Sequence, residues 1–475
     1  MLPPILKKGD YIYGSFLKPE AINGYITNTN PAQKSHPLGM YSFSFSSISQ
    51  AIAYAKATHT QWASRPIENR IEPIQRFQDE LIKHHTHITK VISTDCGYPL
   101  REASMEVNES IRFLQYLIEA APSIVTDIEQ KKHVQHKTSL GCLALLTPHV
   151  HSFYMSVLFS NSALITGNVV IHKPSKYTPA IGQLVAEIWD RCSLKRGVYN
   201  MIQGPGTHIS QQLIKNIQLD GILFAGEYDN ANILHKRRPF HLPLMLYCGG
   251  KGSAIVLLDA DIEHTANELL KGLTLAGGQS PYGISHVFVE KPIAEELIAT
   301  LKEKLSQLHI APPNKDKASE LGPMISEQIQ QLYLNQGEHI SHEGHTRIQA
   351  PSTIYSLDGF FVQPSIFLIN LEAQDILLDV ELKGPTLLLY VIEDKTEIVH
   401  HINKLAYRRS VSIFSSSETN YTPLLKNVQS GSFLINNAPS FPIVATPLHG
   451  KCSNGHREGI GIIRSLTQFT NIPKI

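Results

Sequence analysis

The sequence predicts an α/β fold built as two lobes, and three observations carry that expectation. From about residue 140 to 246, short β-branched apolar runs alternate with amphipathic helical stripes at the pitch of repeated strand and helix units. The same alternation restarts near Gly249. At 475 residues the chain exceeds what one core of ordinary size encloses, and its 42% hydrophobic content supplies two.

In chain order, residues 46–120 read as mostly helical. SISQAIAYAKATHTQWAS opens on serines suited to capping, and IRFLQYLIEA repeats apolar residues at helical spacing. The period changes near 140, where LGCLALLT and VVIHKP read as buried strands. Pro179 then starts a helix whose stripe is Ile181, Leu184, Val185, Ile188 and Trp189, and Gly197 ends it before the strand VYNMIQ. The helix ISQQLIKN, the strand DGILFAG, a further helix and the strand LPLMLYC complete a dinucleotide-fold layout with a parallel sheet. The second lobe begins with the helix DIEHTANELLKGLTLA and the loop AGGQSPYG. It continues through SHVFVEK, the helix IAEELIATLKEKLSQL, VQPSIFLIN and TLLLYVIED, leaving a cleft between the lobes.

Composition narrows the function. Lysine and arginine number 42 against 41 acidic residues, a net +1 with no long block of either sign, which points away from nucleic acid and anionic membranes. Lys236-Arg237-Arg238 reads as a solvated helix end. The cysteines, Cys96, Cys142, Cys192, Cys248 and Cys452, are odd in number and without a C-x-x-C pair, so free thiols in a reducing compartment are expected. No run approaches a membrane span and MLPPILKKGDYIYG lacks a signal-peptide core, so a soluble cytoplasmic protein is expected.

A set of motifs then fixes a resemblance. KPS-x-x-TP at 173–179, FAG at 224–226, CGGK at 248–251, GQ at 278–279, LGPMIS at 321–326, E-x-x-GP at 381–385 and PLHGKCSNGHRE at 447–458 together resemble the aldehyde dehydrogenase superfamily, from about residue 25 to 465. LDGILFAG and the INNAP segment look most like its succinylglutamate semialdehyde dehydrogenase branch. The resemblance implies an aldehyde dehydrogenase-like α/β fold: a Rossmann-type cofactor lobe (1–123 and 145–246), an α/β catalytic lobe (247–435) and a small β bridging element (124–144 and 436–475) that joins subunits into a homodimer or tetramer. Its chemistry would be attack of a cysteine thiolate on an aldehyde, hydride transfer to NAD(P), and thioester hydrolysis by water that a glutamate activates.

Set against that pattern, the reactive positions are altered. The G-Q-x-C cysteine is Pro281, which can be neither nucleophile, base nor ligand. The glutamate of E-L-G-G-K is Tyr247, a poor activator of water while neutral. The oxyanion asparagine is Val150, which has no donor to give; one such bond is worth about 3 kcal/mol. No Ser-His pairing is legible near Ser280. Catalytic residues of the family type are therefore expected to be none. Cys248 is the one conceivable relocated nucleophile, yet alternation along an extended segment would turn it away if Tyr247 faces the cleft.

Cofactor binding can outlive chemistry, and the resemblance assigns Lys173, Ser175, Lys176, Gly226 and Glu381 to it. Lys173 and Ser175 match the adenine-ribose positions. Lys176 replaces the ribose-binding glutamate and would favour NADP over NAD. Gly226 is followed by Glu227 and Asp229, whose own charge would occupy an anion-attracting helix start, and Ala231 would narrow the approach. Glu381, Gly384 and Pro385 match the nicotinamide end, but Lys383 replaces its phenylalanine. No tightly bound cofactor is expected.

His149 and His151 would share a face if they stood on a strand, but no third ligand accompanies them, and no metal is expected. HHTH at 84–87, and His339, His342 and His345, read as mobile exposed segments. Two functions follow: a pseudoenzyme with a structural, regulatory or ligand-binding role, or an NAD(P)-dependent aldehyde oxidoreductase resembling succinylglutamate semialdehyde dehydrogenase and using Cys248.

Overall fold

The structure, a computed structural model, describes residues 7–18, 21–35, 37–129, 133–371, 381–439 and 465–473. Two seven-stranded sheets organise it. The first runs Leu244–Cys248, Gly221–Gly226, Cys142–Leu146, Val169–Lys173, Tyr199–Met201, Asp10–Ile12, Ser15–Leu17. Its first five strands are parallel, and the two N-terminal strands add an antiparallel edge. Helices cover both faces, which is why LGCLALLT and VVIHKP are apolar throughout rather than alternating: every residue of Cys142–Leu146 and Val169–Lys173 is buried.

The second sheet runs Thr346–Gln349, Ser365–Leu368, Thr386–Ile392, Ile284–Glu290, Gly252–Val256, Ser410–Phe414, Ser432–Ile435, parallel except at the Thr346–Gln349 edge. The chain passes between sheets in the short turn from Cys248 to Gly252. A separate three-stranded antiparallel sheet joins Ile128–Glu129 and His133–Ser139 to the distant Thr467–Pro473. The PLHGKCSNGHRE segment and Cys452 lie outside the described residues.

Several local expectations are corrected. The helix Ser46–Ala63 starts after Phe45, whose side chain has no cap to offer, so neither Ser47 nor Ser49 of the expected run stands at the capping position. HHTH carries the chain from the helix Ile67–Lys83 into the first turn of His85–Cys96, with Thr86 and His87 exposed and Leu81 and Ile88 buried on either side. His339 and His342 ride on the helix Glu327–His342, and His345 is buried with Nδ1 accepting from the Asn370 amide at 3.1 Å. The helix Ser152–Ile165 has all fourteen residues buried, so it presents no polar face to set a period. Tyr228–Arg237 does end in its basic cluster, and Arg238 turns back onto the carbonyls of Pro239, Phe240 and Leu242.

Candidate active-site cleft

A cleft of about 1110 Å³ opens where both sheets present the carboxyl ends of their parallel strands. Leu146, Lys173 and Gly226 reach it from the first sheet, and Tyr282, Glu381 and Arg409 from the second lobe.

The loop AGGQSPYG enters at its inner end. The helix Ile262–Thr274 stops at Leu275, and Ala276, Gly277 and Gly278 follow with φ of 56°, 68° and 71°. Gly278 is required twice over: its φ is left-handed, and a Cβ there would overlap the Pro385 backbone. The buried Glu102 carboxylate takes the Ala276 amide at 2.8 Å, and Gln279 takes the Ile325 amide at 3.1 Å. The loop is thus fixed by backbone and packing, and it brings Pro281 to the cleft wall.

Behind it stands a pairing that the sequence reading missed. Ser280 Oγ lies 2.7 Å from His151 Nε2, and His151 Nδ1 lies 3.9 Å from Glu106 Oε2. Far from sharing a strand face with His149, His151 sits at the start of the helix Ser152–Ile165 with φ 49°. Burial drops His151 to about 3 and, against the Tyr154 and Phe153 amides, lifts Glu106 to about 7. The order of groups is that of a nucleophilic triad, but Ser280 is 0% exposed and its Oγ also accepts the Tyr282 amide at 3.1 Å. A substrate carbon has no approach to that oxygen, and the bonds clamp the loop. With a sequence separation of 129 residues, nothing local announced them.

Tyr247 and Cys248 both line the cleft, contrary to the alternation expected of an extended pair, because the strand ends at Cys248 and the chain turns there into Gly249 and Gly250. Tyr247 packs its ring 5.1 Å from Phe159, and burial raises its hydroxyl far above the ordinary tyrosine range. Cys248 is pushed up to about 12 by burial, which outweighs the opposing charge of Arg409. A thiol in that state supplies no thiolate at neutral pH.

The two altered cofactor motifs meet. Lys383 Nζ lies 2.9 Å from Glu227 Oε1 and 3.2 Å from Glu381 Oε2, and Glu381 Oε1 accepts the Gly250 amide at 3.0 Å. Burial alone would raise Glu227, but Lys383 by charge and hydrogen bond, helped by His149, holds it below the usual carboxylate range. Burial likewise opposes the charge on Lys383, and Glu381 and Glu227 overcome it. Glu227, expected with Asp229 to hold the start of Tyr228–Arg237 with the chain's own charge, faces a cation supplied by the other lobe. That chain of charges crosses the cleft from the start of the helix Tyr228–Arg237 to the turn at Gly250. Ala231 does not narrow the cleft either, since it packs into the first lobe's core.

The outer end is different. Lys173, Ser175 and Lys176 all line it. Lys173 is buried, its Nζ donates to the Pro174 carbonyl at 2.7 Å, and burial with the nearby Lys176 charge brings it down to about 7. Ser175 Oγ accepts the Tyr177 amide at 3.2 Å, and exposed Lys176 stands 4.8 Å from the Tyr177 ring centre. Gly226 closes its strand beside them, and no cluster of metal-ligating side chains occurs among the described residues.

Two parallel-stranded sheets meeting at a cleft define the class as a two-lobed α/β protein. More specifically, the chain belongs to the Aldehyde dehydrogenase family, which it matches over residues 16–475. It is 26% identical over 427 residues to N-succinylglutamate 5-semialdehyde dehydrogenase of Novosphingobium aromaticivorans, covering 86% of this chain and 88% of that protein. It is 24% identical over 455 residues to malonate-semialdehyde dehydrogenase of Bacillus subtilis subsp. natto, covering 94% and 92%. Its fold is that of lactaldehyde dehydrogenase from Escherichia coli, with TM-score 0.92 and 21% identity over 99% of both chains. The NADP-dependent glyceraldehyde-3-phosphate dehydrogenase of Bacillus halodurans C-125, solved with NADP, has TM-score 0.89 and 22% identity over 98% of both. No helix among the described residues is long and apolar enough to cross a membrane.

Proposed function

We propose that this chain is an aldehyde dehydrogenase-fold pseudoenzyme, kept for a structural, regulatory or ligand-binding role rather than for aldehyde oxidation. The observation that carries this is the cleft's lack of a usable thiolate: the loop presents Pro281, and burial holds the Cys248 thiol near 12. Without a sulfur to capture the carbonyl carbon, no hemiacetal forms to donate hydride, and Tyr247 gives no base for the water of the second step. Dinucleotide affinity is low because Glu227, Lys383 and Glu381 occupy the inner half of its path. What affinity remains favours NADP over NAD through Lys176. The three-stranded sheet of Ile128–Glu129, His133–Ser139 and Thr467–Pro473 is the element through which a homodimer or tetramer would form, in the cytoplasm.

The competing reading is an NAD(P)-dependent oxidoreductase acting on succinylglutamate semialdehyde through Cys248, and the place of that residue in the cleft wall is its support. The purified protein, given succinylglutamate semialdehyde or short aldehydes with NAD or NADP, is expected to produce no reduced cofactor above background. A steady rate that disappears in Cys248→Ser would replace the proposal with the competing reading.

A further inference from the structure

Two buried acids stand behind the cleft and serve neither the lost chemistry nor a cofactor. Glu102 and Glu106 lie one turn apart on the helix Leu100–Val125, 4% and 0% exposed. Among the described residues the one basic side chain in ion-pair reach of either is His151, 3.9 Å from Glu106, which burial keeps neutral. Each acid instead holds a wall of the cleft by its backbone. Glu102 takes the Ala276 amide at 2.8 Å, at the head of the loop AGGQSPYG, and Glu106 takes the Tyr154 amide at 2.9 Å, in the first turn of Ser152–Ile165. The 2.7 Å contact between Ser280 Oγ and His151 Nε2 ties those two elements together. Loop and helix start therefore form one unit, docked on Leu100–Val125 through two carboxyl groups.

Ionisation pulls that docking two ways. A charged acceptor strengthens an amide bond to about 1.5–3 kcal/mol, but a carboxylate buried without a cation costs several kcal/mol, and two of them a turn apart repel. Burial wins at both positions. It lifts Glu102 to about 7 against the Ala276 amide and the charge of exposed Arg101, and Glu106 to about 7 against the Tyr154 and Phe153 amides, with Glu102 adding to the rise. Cys96 and Tyr98, which face the pair from the end of His85–Cys96 and the turn after it, are held protonated by the same burial and bring no compensating charge. In water the two acids would return toward 4.5, so between 4.5 and about 7 the undocked unit gives up protons that the docked unit keeps.

We propose that the inner wall of the cleft is a proton-operated gate: the loop AGGQSPYG and the first turn of Ser152–Ile165 stay docked while Glu102 and Glu106 hold their protons, and loosen as one unit as these leave. The gate belongs to the wall itself and holds whether or not the cleft oxidises an aldehyde.

Amide hydrogen exchange of the full chain, corrected for the intrinsic pH dependence of exchange, tests it. Protection of Ala276 and Tyr154 is expected to fall together from about pH 5 to 7, roughly tenfold per pH unit for each acid, and to level off above that. It should also stay below the protection of Ile171 in the core strand Val169–Lys173, which only unfolding of the chain exposes. Constant protection at both amides, or protection equal to that of Ile171 at every pH, would overturn the gate in the unaltered protein, so a folding failure of a variant does not shield it. Glu102→Gln combined with Glu106→Gln keeps the shapes but leaves no protons to lose, and should flatten both profiles; profiles as steep as before would overturn the assignment to these acids. Glu106→Gln alone should make the Ala276 profile shallower, although the Ala276 amide is held by Glu102. An effect confined to Tyr154 would overturn the single unit.

Discussion

The outer and inner ends of one cleft behave as different kinds of structure. At the outer end Lys173 and Gly226 close the buried strands Val169–Lys173 and Gly221–Gly226, and Ser175 follows the first of them. At the inner end the backbone is equally well made, with Gly278 and Gly384 in left-handed turns and Lys251 holding the Gly384 carbonyl. Its side chains there, however, are Pro281, Tyr247, Val150 and Lys383. The contrast teaches that a fold asks of a loop only its backbone path and volume, while a reaction asks for single atoms. On the pseudoenzyme reading proposed above, path and volume have persisted without the atoms.

The comparison can be strained first at the backbone. Gly278→Ala puts a Cβ into the Pro385 backbone from a left-handed φ, and urea unfolding should show a loss of about 3 kcal/mol. A neutral result would mean that the inner loop does not hold the shape on which the comparison depends.

Next comes the acid behind the inner end. Glu106 is raised by burial to about 7 from 4.5, so folding takes up a proton between those values, and stability falls as pH rises through them. Relative to Glu106→Gln, the unaltered chain should therefore lose on the order of 2–3 kcal/mol from pH 4.5 to 7 and little beyond. Parallel stability profiles across that range would show that the clamp on Ser280 does not include Glu106.

The seam between the ends is tested by Glu227→Ser with Lys383→Phe, which removes both partners of the crossing ion pair at once. Melting shifts with NADP should grow by about one to two degrees over the unaltered chain, about 1.4 kcal/mol at tenfold saturation. No gain would show that something other than this pair limits dinucleotide entry. The smallest effect belongs to the outer end: in that double variant, Lys176→Glu should turn an NADP preference of roughly tenfold toward NAD. If the preference is indifferent to position 176, the outer end is not a ribose site.

Much of the fold was legible because the parallel strands are buried on both faces and flanked by helices with one apolar stripe. The helix Ser152–Ile165 was not, since a helix buried all round carries no period, and the three-residue strand Asp10–Ile12 is too short to show one. In the site, each altered position could be read singly against the family pattern, but their pairing could not. Glu227 and Lys383 looked like two separate losses, although their opposite signs at two motif positions were the available clue to an ion pair between the lobes. Ser280 and His151 offered no such clue, because serine and histidine are common and only the turn at His151, with φ 49°, aims the ring at the loop.

The central claim is that the cleft holds no reactive nucleophile, and alkylation tests it most directly. The folded protein is treated with iodoacetamide at pH 8, and Cys248 is examined by peptide mapping. The account predicts that Cys248 stays unmodified until the chain is unfolded. Rapid, stoichiometric alkylation of Cys248 in the folded protein would contradict it.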